Sequence, residues 1–277
     1  MNTRLPLLLV PLLALASSQA SAAQIVFSSN RSGQWRIWAM SPDGSGAKQL
    51  TKGTPDDHDV DPCIRPDGKA ILFTSTRGGA TAIWRMGIDG SKPVRLCDGD
   101  QAEWAPDGKQ IAFRRKERLF VRTLATGKER AITPADWPHC SGPAWSPDGT
   151  RIAFAARSHA ANAANALYLV PAAGGEPTKV YGKKPACEPH WAPDGTRLVY
   201  ETETHVCTIR PDGTKNRLIT WFGGLQRYPR FSPDGARIIF CQGASEKGPW
   251  DIYIIPARGG TPRKLTTGAS DMYPHWK

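Results

Sequence analysis

An all-β fold, a six-bladed propeller of four-stranded antiparallel blades, follows from three observations on this 277-residue sequence. A Pro-Asp-Gly turn followed three or four residues later by a short apolar run is written five times. The segments between these turns are short, apolar or β-branched, and bounded by turn residues. The two ends of the chain supply complementary parts of one repeat. The turns are centred on Asp67, Asp107, Asp148, Asp194 and Asp234, at intervals of 40, 41, 46 and 40 residues, and a period of that size marks a repeat architecture.

Residues 101–133 serve as the model unit. Ala102-Glu103-Trp104 is a first strand that ends at a tight hairpin, because Pro106 fixes φ and Gly108 can take φ > 0. Ile111-Ala112-Phe113 is the second strand, Leu119-Phe120-Val121 the third, and residues 129–133 the fourth, after the turn Ala125-Thr126-Gly127. Such segments have strand character, and none carries a sustained helical period. Third strands recur at Ile37-Trp38, Ile83-Trp84, Leu119-Phe120, Leu167-Tyr168, Val206-Cys207 and Ile252-Tyr253. Fourth strands close at Leu50-Thr51, Leu96, Ile132-Thr133, Val180, Ile219-Thr220 and Leu265-Thr266. The count is six units of four strands. Ile25-Val26-Phe27 reads as a second strand, whereas Tyr273-Pro274-His275-Trp276 reads as a first strand, like Glu188-Pro189-His190-Trp191. One blade is therefore expected from three N-terminal strands and one C-terminal strand, which shuts the ring and protects its edges.

Residues 1–22 have the form of a secretory signal peptide: Arg4, an apolar run over 5–16, and an Ala20-Ser21-Ala22 cleavage site. The apolar run is short of the ~20 residues a membrane span needs. The expected organisation is thus a leader over 1–22, cleaved near Ala22, and a propeller over 23–277, exported to the periplasm or secreted and not membrane-spanning. Loss of Arg4 leaves 35 Lys and Arg against 25 Asp and Glu, a net +10. The basic residues are spread through the repeats with no long run, which points to a solvated surface rather than to nucleic acid. Six cysteines in an exported chain are compatible with disulfides. Cys140 with Cys187, in successive inter-blade loops, and Cys207 with Cys241, in neighbouring blades, are the candidate pairs.

The pattern P-x-W-[SA]-P-D-G-x-x-[IL]-x-[FY], with [IL]-[WYF] and a D-G turn later in each unit, resembles the propeller repeat of the TolB family. The likeness runs through the whole of 23–277, and the Gly-His and Trp-Asp marks of ordinary WD repeats are missing. TolB carries an additional N-terminal α/β domain, and here the repeats begin directly after the leader. The resemblance implies a stand-alone TolB-like propeller in the cell envelope, without the contacts that belong to the additional domain.

Most repeated residues read as scaffold. Asp in a Pro-Asp-Gly turn hydrogen-bonds local backbone. Trp104, Trp145, Trp191, Phe231 and Trp276 share one position and read as contacts between blades. Tight turns fall on one face and the irregular connections on the other, so the irregular face is the expected binding surface. Its candidates are Trp137, Trp221 and Phe222, which lie outside the repeat positions, an acidic stretch at Asp57, Asp59 and Asp61, and a basic one at Arg114 and Arg115. Asp57-x-Asp59-x-Asp61 has carboxylates for a divalent cation. His190 and His275 occupy equivalent positions, with Cys63, Glu103, Ala144 and Arg230 at the same place elsewhere, so His190, His275 and Glu103 are metal candidates near the axis. Some metal-dependent oligogalacturonate lyases resemble TolB propellers in this way.

No G-x-S-x-G elbow, H-E-x-x-H or P-loop occurs in the sequence. The leading expectation is a monomeric, non-enzymatic module without cofactor that docks an envelope or periplasmic protein, or a glycan. The alternative is a metal-dependent polysaccharide lyase or glycan-binding propeller.

Overall fold

A computed structural model describes residues 24–137, 139–157 and 163–277, so the leader lies outside the described residues. Twenty-four strands form six four-stranded antiparallel sheets. We number the blades 1 to 6 around the ring, blade 1 being the one that joins Ile25–Ser29, Arg36–Met40 and Lys48–Gln49 to the C-terminal Asp271–Trp276. Val26 pairs with His275 and Ile25 with Trp276, and Gln24 and Lys277 exchange backbone hydrogen bonds just beyond them. Each first strand touches the first strands of both neighbouring blades, so the six surround a common axis. No helix among the described residues is long and apolar enough to cross a membrane.

The core is six apolar layers between blades, not one central mass. Between blades 1 and 2, for example, Val26, Ile37 and Ala39 meet Ile64, Ile71, Phe73 and Met86. The closing layer, where Ile239, Ile252 and Ile254 meet Ile25, Phe27, Met40 and Trp276, has the same character. First-strand tryptophans reach backward across these layers: Trp104 Nε1 donates to the Cys63 carbonyl and Trp191 Nε1 to that of Ala144, both at 3.1 Å. The five Pro-Asp-Gly turns that join first to second strands are scaffold as the sequence implies. Each Asp accepts the N–H two residues on, at 2.9–3.0 Å, and each Gly has φ between 65° and 72°.

Fourth strands stop earlier than the apolar pattern implies, and threonine is the reason. In blades 1, 3, 5 and 6 the hydroxyls of Thr51, Thr133, Thr220 and Thr266 accept the N–H of Ile37, Leu119, Val206 and Ile252, at 2.8–3.2 Å. A side chain thereby replaces the next rung of the ladder, and the strands end at Gln49, Ala131, Leu218 and Lys264. Blades 2 and 4 carry Cys97 and Tyr181 there instead, and the backbone ladder continues to them.

All six cysteines are free thiols, which corrects both expected pairs. Cys140 lies in the layer between blades 3 and 4 and Cys187 beside the layer between blades 4 and 5, so a whole sheet separates them. Cys207 also faces blade 4, whereas Cys241 lies against the Tyr273 backbone on the blade 1 side.

Thr220 is fully buried. Replacing it with valine keeps the shape and leaves the Val206 N–H without a partner, so urea unfolding should show a loss of about 1–3 kcal/mol.

Candidate functional site

Every first strand contains a bulge, where one extra residue lets the ladder slip by one position. The residue at the bulge has positive φ in all six blades: Tyr273, Asp61, Gln101, Gly142, Glu188 and Tyr228. Five of them precede proline, which cannot donate to a ladder and belongs at such irregularities. The bulges turn two rings of side chains toward the axis, the bulge residues themselves and, two positions on, His275, Cys63, Glu103, Ala144, His190 and Arg230.

Contacts between blades, two of them between blades that are not neighbours, bring these residues together. Arg230 of blade 6 meets Glu103 of the opposite blade 3 at 3.3 Å. Gln101 of blade 3 donates to Glu188 of blade 5 at 3.4 Å and accepts from Gly142 N–H at 3.1 Å. The hydroxyls of Tyr228 and Tyr273 are 3.3 Å apart. Burial raises the carboxyls of Glu103 and Glu188 above the usual range, against the pull of Arg230. Asp61 is pushed up to about 7, by burial and by Glu188, Asp100 and Glu103 around it. Glu201, beside Arg227, is pushed up to about 8 by burial and by Glu188.

The two histidines share one geometry. His275 Nδ1 accepts the Ile64 N–H at 3.3 Å, and His190 Nδ1 accepts the Phe231 N–H at 3.4 Å, each bond reaching the next blade. This assigns the proton of each neutral ring to Nε2. Burial and the Arg230 charge keep both rings neutral, His275 near 3 and His190 well below its ordinary value.

Above these rings, on the tight-turn face, lies a cavity of about 270 Å³. Its floor is Glu103, His190 and His275. Its wall is the last residue of every first strand: Ile64, Trp104, Trp145, Trp191, Phe231 and Trp276. Its lip is formed by the turn prolines Pro66, Pro106, Pro147, Pro193 and Pro233, and by Lys277. A hollow of about 340 Å³ between the turns of blades 3 and 4, lined by Asp107, Arg130 and Asp148 among others, lies off the axis.

The residues expected on the irregular face do not converge. Trp137 packs edge-on against Tyr168 at 4.7 Å, and Phe222 lies against Phe240 at 6.1 Å. Trp221 alone of the three is free, at 65% exposed. The acidic stretch serves three partners: Asp57 accepts the Thr54 N–H, Asp59 pairs with Arg77, and Asp61 enters the channel. Arg114 is bidentate to Asp100 at 2.7 and 2.8 Å, and Arg115 pairs with Glu129 while stacking on Phe120. Sequence reasoning missed Glu188, Tyr228 and Tyr273, for which proline inside a first strand was the available signal, and Gln101, which is followed by Ala102 and carries no such mark.

Residues 17–118 match the family model of the TolB beta propeller domain. The match covers the N-terminal part of a ring whose fold is TolB-like. TolB from Acinetobacter baumannii superposes with a TM-score of 0.78 at 16% identity, over 92% of this chain and 66% of that one. Putative TolB from Agrobacterium tumefaciens gives 0.71 at 19% identity, over 91% of each chain. An oligogalacturonate lyase in complex with manganese gives 0.57 at 17% identity, over 90% of this chain and 74% of that one. No curated protein sequence matches the chain.

The manganese complex invites a test of the donor set in this TolB-like propeller. Cys63 Sγ, a Glu103 oxygen and a His275 ring nitrogen lie within 4.8 Å of one another. A metal-bound imidazole offers a lone pair from one nitrogen and donates from the other. His275 is arranged the opposite way, accepting at Nδ1 and directing Nε2 toward Cys63 Sγ at 3.5 Å, and Glu103 already faces Arg230. The set suits a hydrogen-bonded ring better than a metal centre.

Asp61 keeps in the folded state a proton that the unfolded chain, with an ordinary value of 3.8, releases. Its contribution therefore falls as pH rises from about 4 to 7, and Glu201 extends the fall toward 8. The histidines act in the opposite sense, since only the unfolded chain takes up their protons below 6.5. Thermal melts should be highest near pH ~6 and decline toward 8, and Asp61→Asn should flatten part of that decline.

Proposed function

We propose that this TolB-like propeller is an exported, non-enzymatic docking module that holds a partner protein at its axial mouth. The cavity carries the reading. Five aromatic wall positions contributed by successive blades surround a polar floor, the composition of a recognition site, and concave sites of this kind sit where repeats converge. The floor groups are engaged with one another, Glu103 with Arg230 and each histidine with a backbone N–H, so no free acid–base pair stands ready for chemistry. Export is supported by the leader pattern over 1–22, and a periplasmic or secreted setting follows from it.

A second reading, a metal-dependent oligogalacturonate-type lyase, is favoured by the likeness of fold to that enzyme and by His190, His275 and Glu103 meeting at one level of the channel.

A photo-crosslinking residue at position 147, on the lip, should give a discrete protein adduct in intact cells, whereas the same residue at 221, in an irregular loop, should give none. Adducts from 221 alone would move the site to the irregular face. Fractionation with mass spectrometry should find a mature N-terminus near Ala23. Polygalacturonate with Mn²⁺ should show no rise in ultraviolet absorbance, and a rise would replace the docking reading with the lyase.

A further inference from the structure

We propose that the mouth accepts a positively charged side chain, lysine or arginine, from its protein partner, and seats it against Glu103. The inference rests on the docking reading and adds the chemistry of the docked group.

The first argument is charge balance along the axis. Asp61, Glu103 and Glu188 stand on the two axial rings with Arg230 among them, and Asp100 and Arg114 adjoin them. Arg114 is committed to Asp100 by two hydrogen bonds. Arg230 is left as the counter-charge shared by Asp61, Glu103 and Glu188. The imidazoles of His190 and His275 are neutral and add nothing. Buried carboxylates in excess over cations are costly in a medium of low dielectric, and an incoming cation relieves that cost. Glu103 is the member of the group that lines the cavity, so an entering side chain meets it first. Arg230 meets it by one contact at 3.3 Å and the Cys63 thiol by another, and a carboxylate with about four lone-pair sites keeps acceptor capacity beyond these two.

The second argument is the wall. Aromatic faces attract cations, and four wall rings already do so: Arg65 lies over Trp104, Arg151 over Trp191, Arg197 over Phe231 and Arg237 over Trp276, at 4.7–5.4 Å from the ring centres. Each of these arginines comes from the blade preceding the ring it covers, so the arrangement is a property of the repeat. Trp145 occupies the equivalent place without a cation on its face among the described residues. It stands beside Glu103 in blade order, which gives the mouth one open ring next to its one carboxylate. Lys277 at the lip is exposed, where water screens its charge.

A carboxylate or a neutral sugar is less well matched. The first would face Glu103 and the negative channel below it, and the second would leave the surplus charge where it is.

The test uses the mature protein and three capped tripeptides, acetyl-Gly-Lys-Gly-amide, acetyl-Gly-Arg-Gly-amide and acetyl-Gly-Gln-Gly-amide, with tryptophan indole N–H resonances as the readout. The cationic peptides should bind at least about tenfold more tightly than the glutamine peptide, with shifts confined to mouth tryptophans. Glu103→Gln should abolish the preference, and Trp221→Ala should leave it intact. The wild-type preference is read whether or not the Glu103→Gln protein folds. Equal affinity for the three peptides, a preference that survives Glu103→Gln, or displacement of the lysine peptide by Mn²⁺ or Zn²⁺ at stoichiometric concentration would each overturn the proposal. Position-147 adducts without a cation preference would leave docking standing and remove the charge, and a preference without adducts would do the reverse.

Discussion

The pairing of Ile25–Ser29 with Asp271–Trp276 is the constraint on which the molecule depends. A blade of four short strands cannot bury both its faces alone, and each of the six apolar layers needs a sheet on either side. Without that pairing, blade 1 loses its innermost strand, and the layer that holds Ile239, Ile252 and Ile254 against Ile25, Phe27 and Trp276 opens to water. With it, the layers form a closed series, and the inner edges of all six first strands are turned to the narrow axial channel rather than to open solvent. Closure also fixes the axis, because six inner strands at equal footing leave a channel that only side chains can fill.

What fills the channel differs in kind from what fills the layers. Between blades the side chains are apolar, chiefly Ile, Val, Leu, Phe and Ala with Met, Cys and aromatic rings among them. Along the axis each blade contributes a different residue, so Cys63, Glu103, Ala144, His190, Arg230 and His275 share one structural position and five chemistries. Hydrogen bonds and ion pairs across the axis tie blades that are not neighbours, as Arg230 and Glu103 do. The same repeat positions therefore serve twice. Trp104, Trp191 and Trp276 seal the layers with one part of the ring and wall the axial mouth with another.

Much of this was legible residue by residue. Pro-Asp-Gly states a turn outright, because proline fixes φ, aspartate caps the backbone and glycine supplies the positive φ. The complementary ends state the closure. Three features were written less openly. Proline at 62, 143, 189, 229 and 274 marked a bulge in each of those first strands, yet a proline in a short strand reads equally as an edge. The threonines that end the outer strands read as ordinary β-formers until the partner N–H is seen. Trp137 and Phe222 stood outside the repeat register and so resembled exposed anchors, but each turns inward to cover an aromatic pair, Phe154 with Tyr168 and Phe240 with Tyr253. In blades 1 to 3 an arginine covers the equivalent pair, a substitution that no local pattern announces.

By itself the sequence determined the strand count, the turns, the apolar layers and the closed ring of a TolB-like propeller, since each of these rests on periodicity and on contacts within one repeat length. Only the tertiary structure decided which side chains meet on the axis, that Arg230 faces Glu103 from the opposite blade, that the cysteines stay apart, and that the aromatic mouth opens on the tight-turn face. Those outcomes depend on residues one or more repeats apart, 127 positions for Arg230 and Glu103, brought together by the angular order of the blades, and a repeat pattern carries no record of which copy stands across from which.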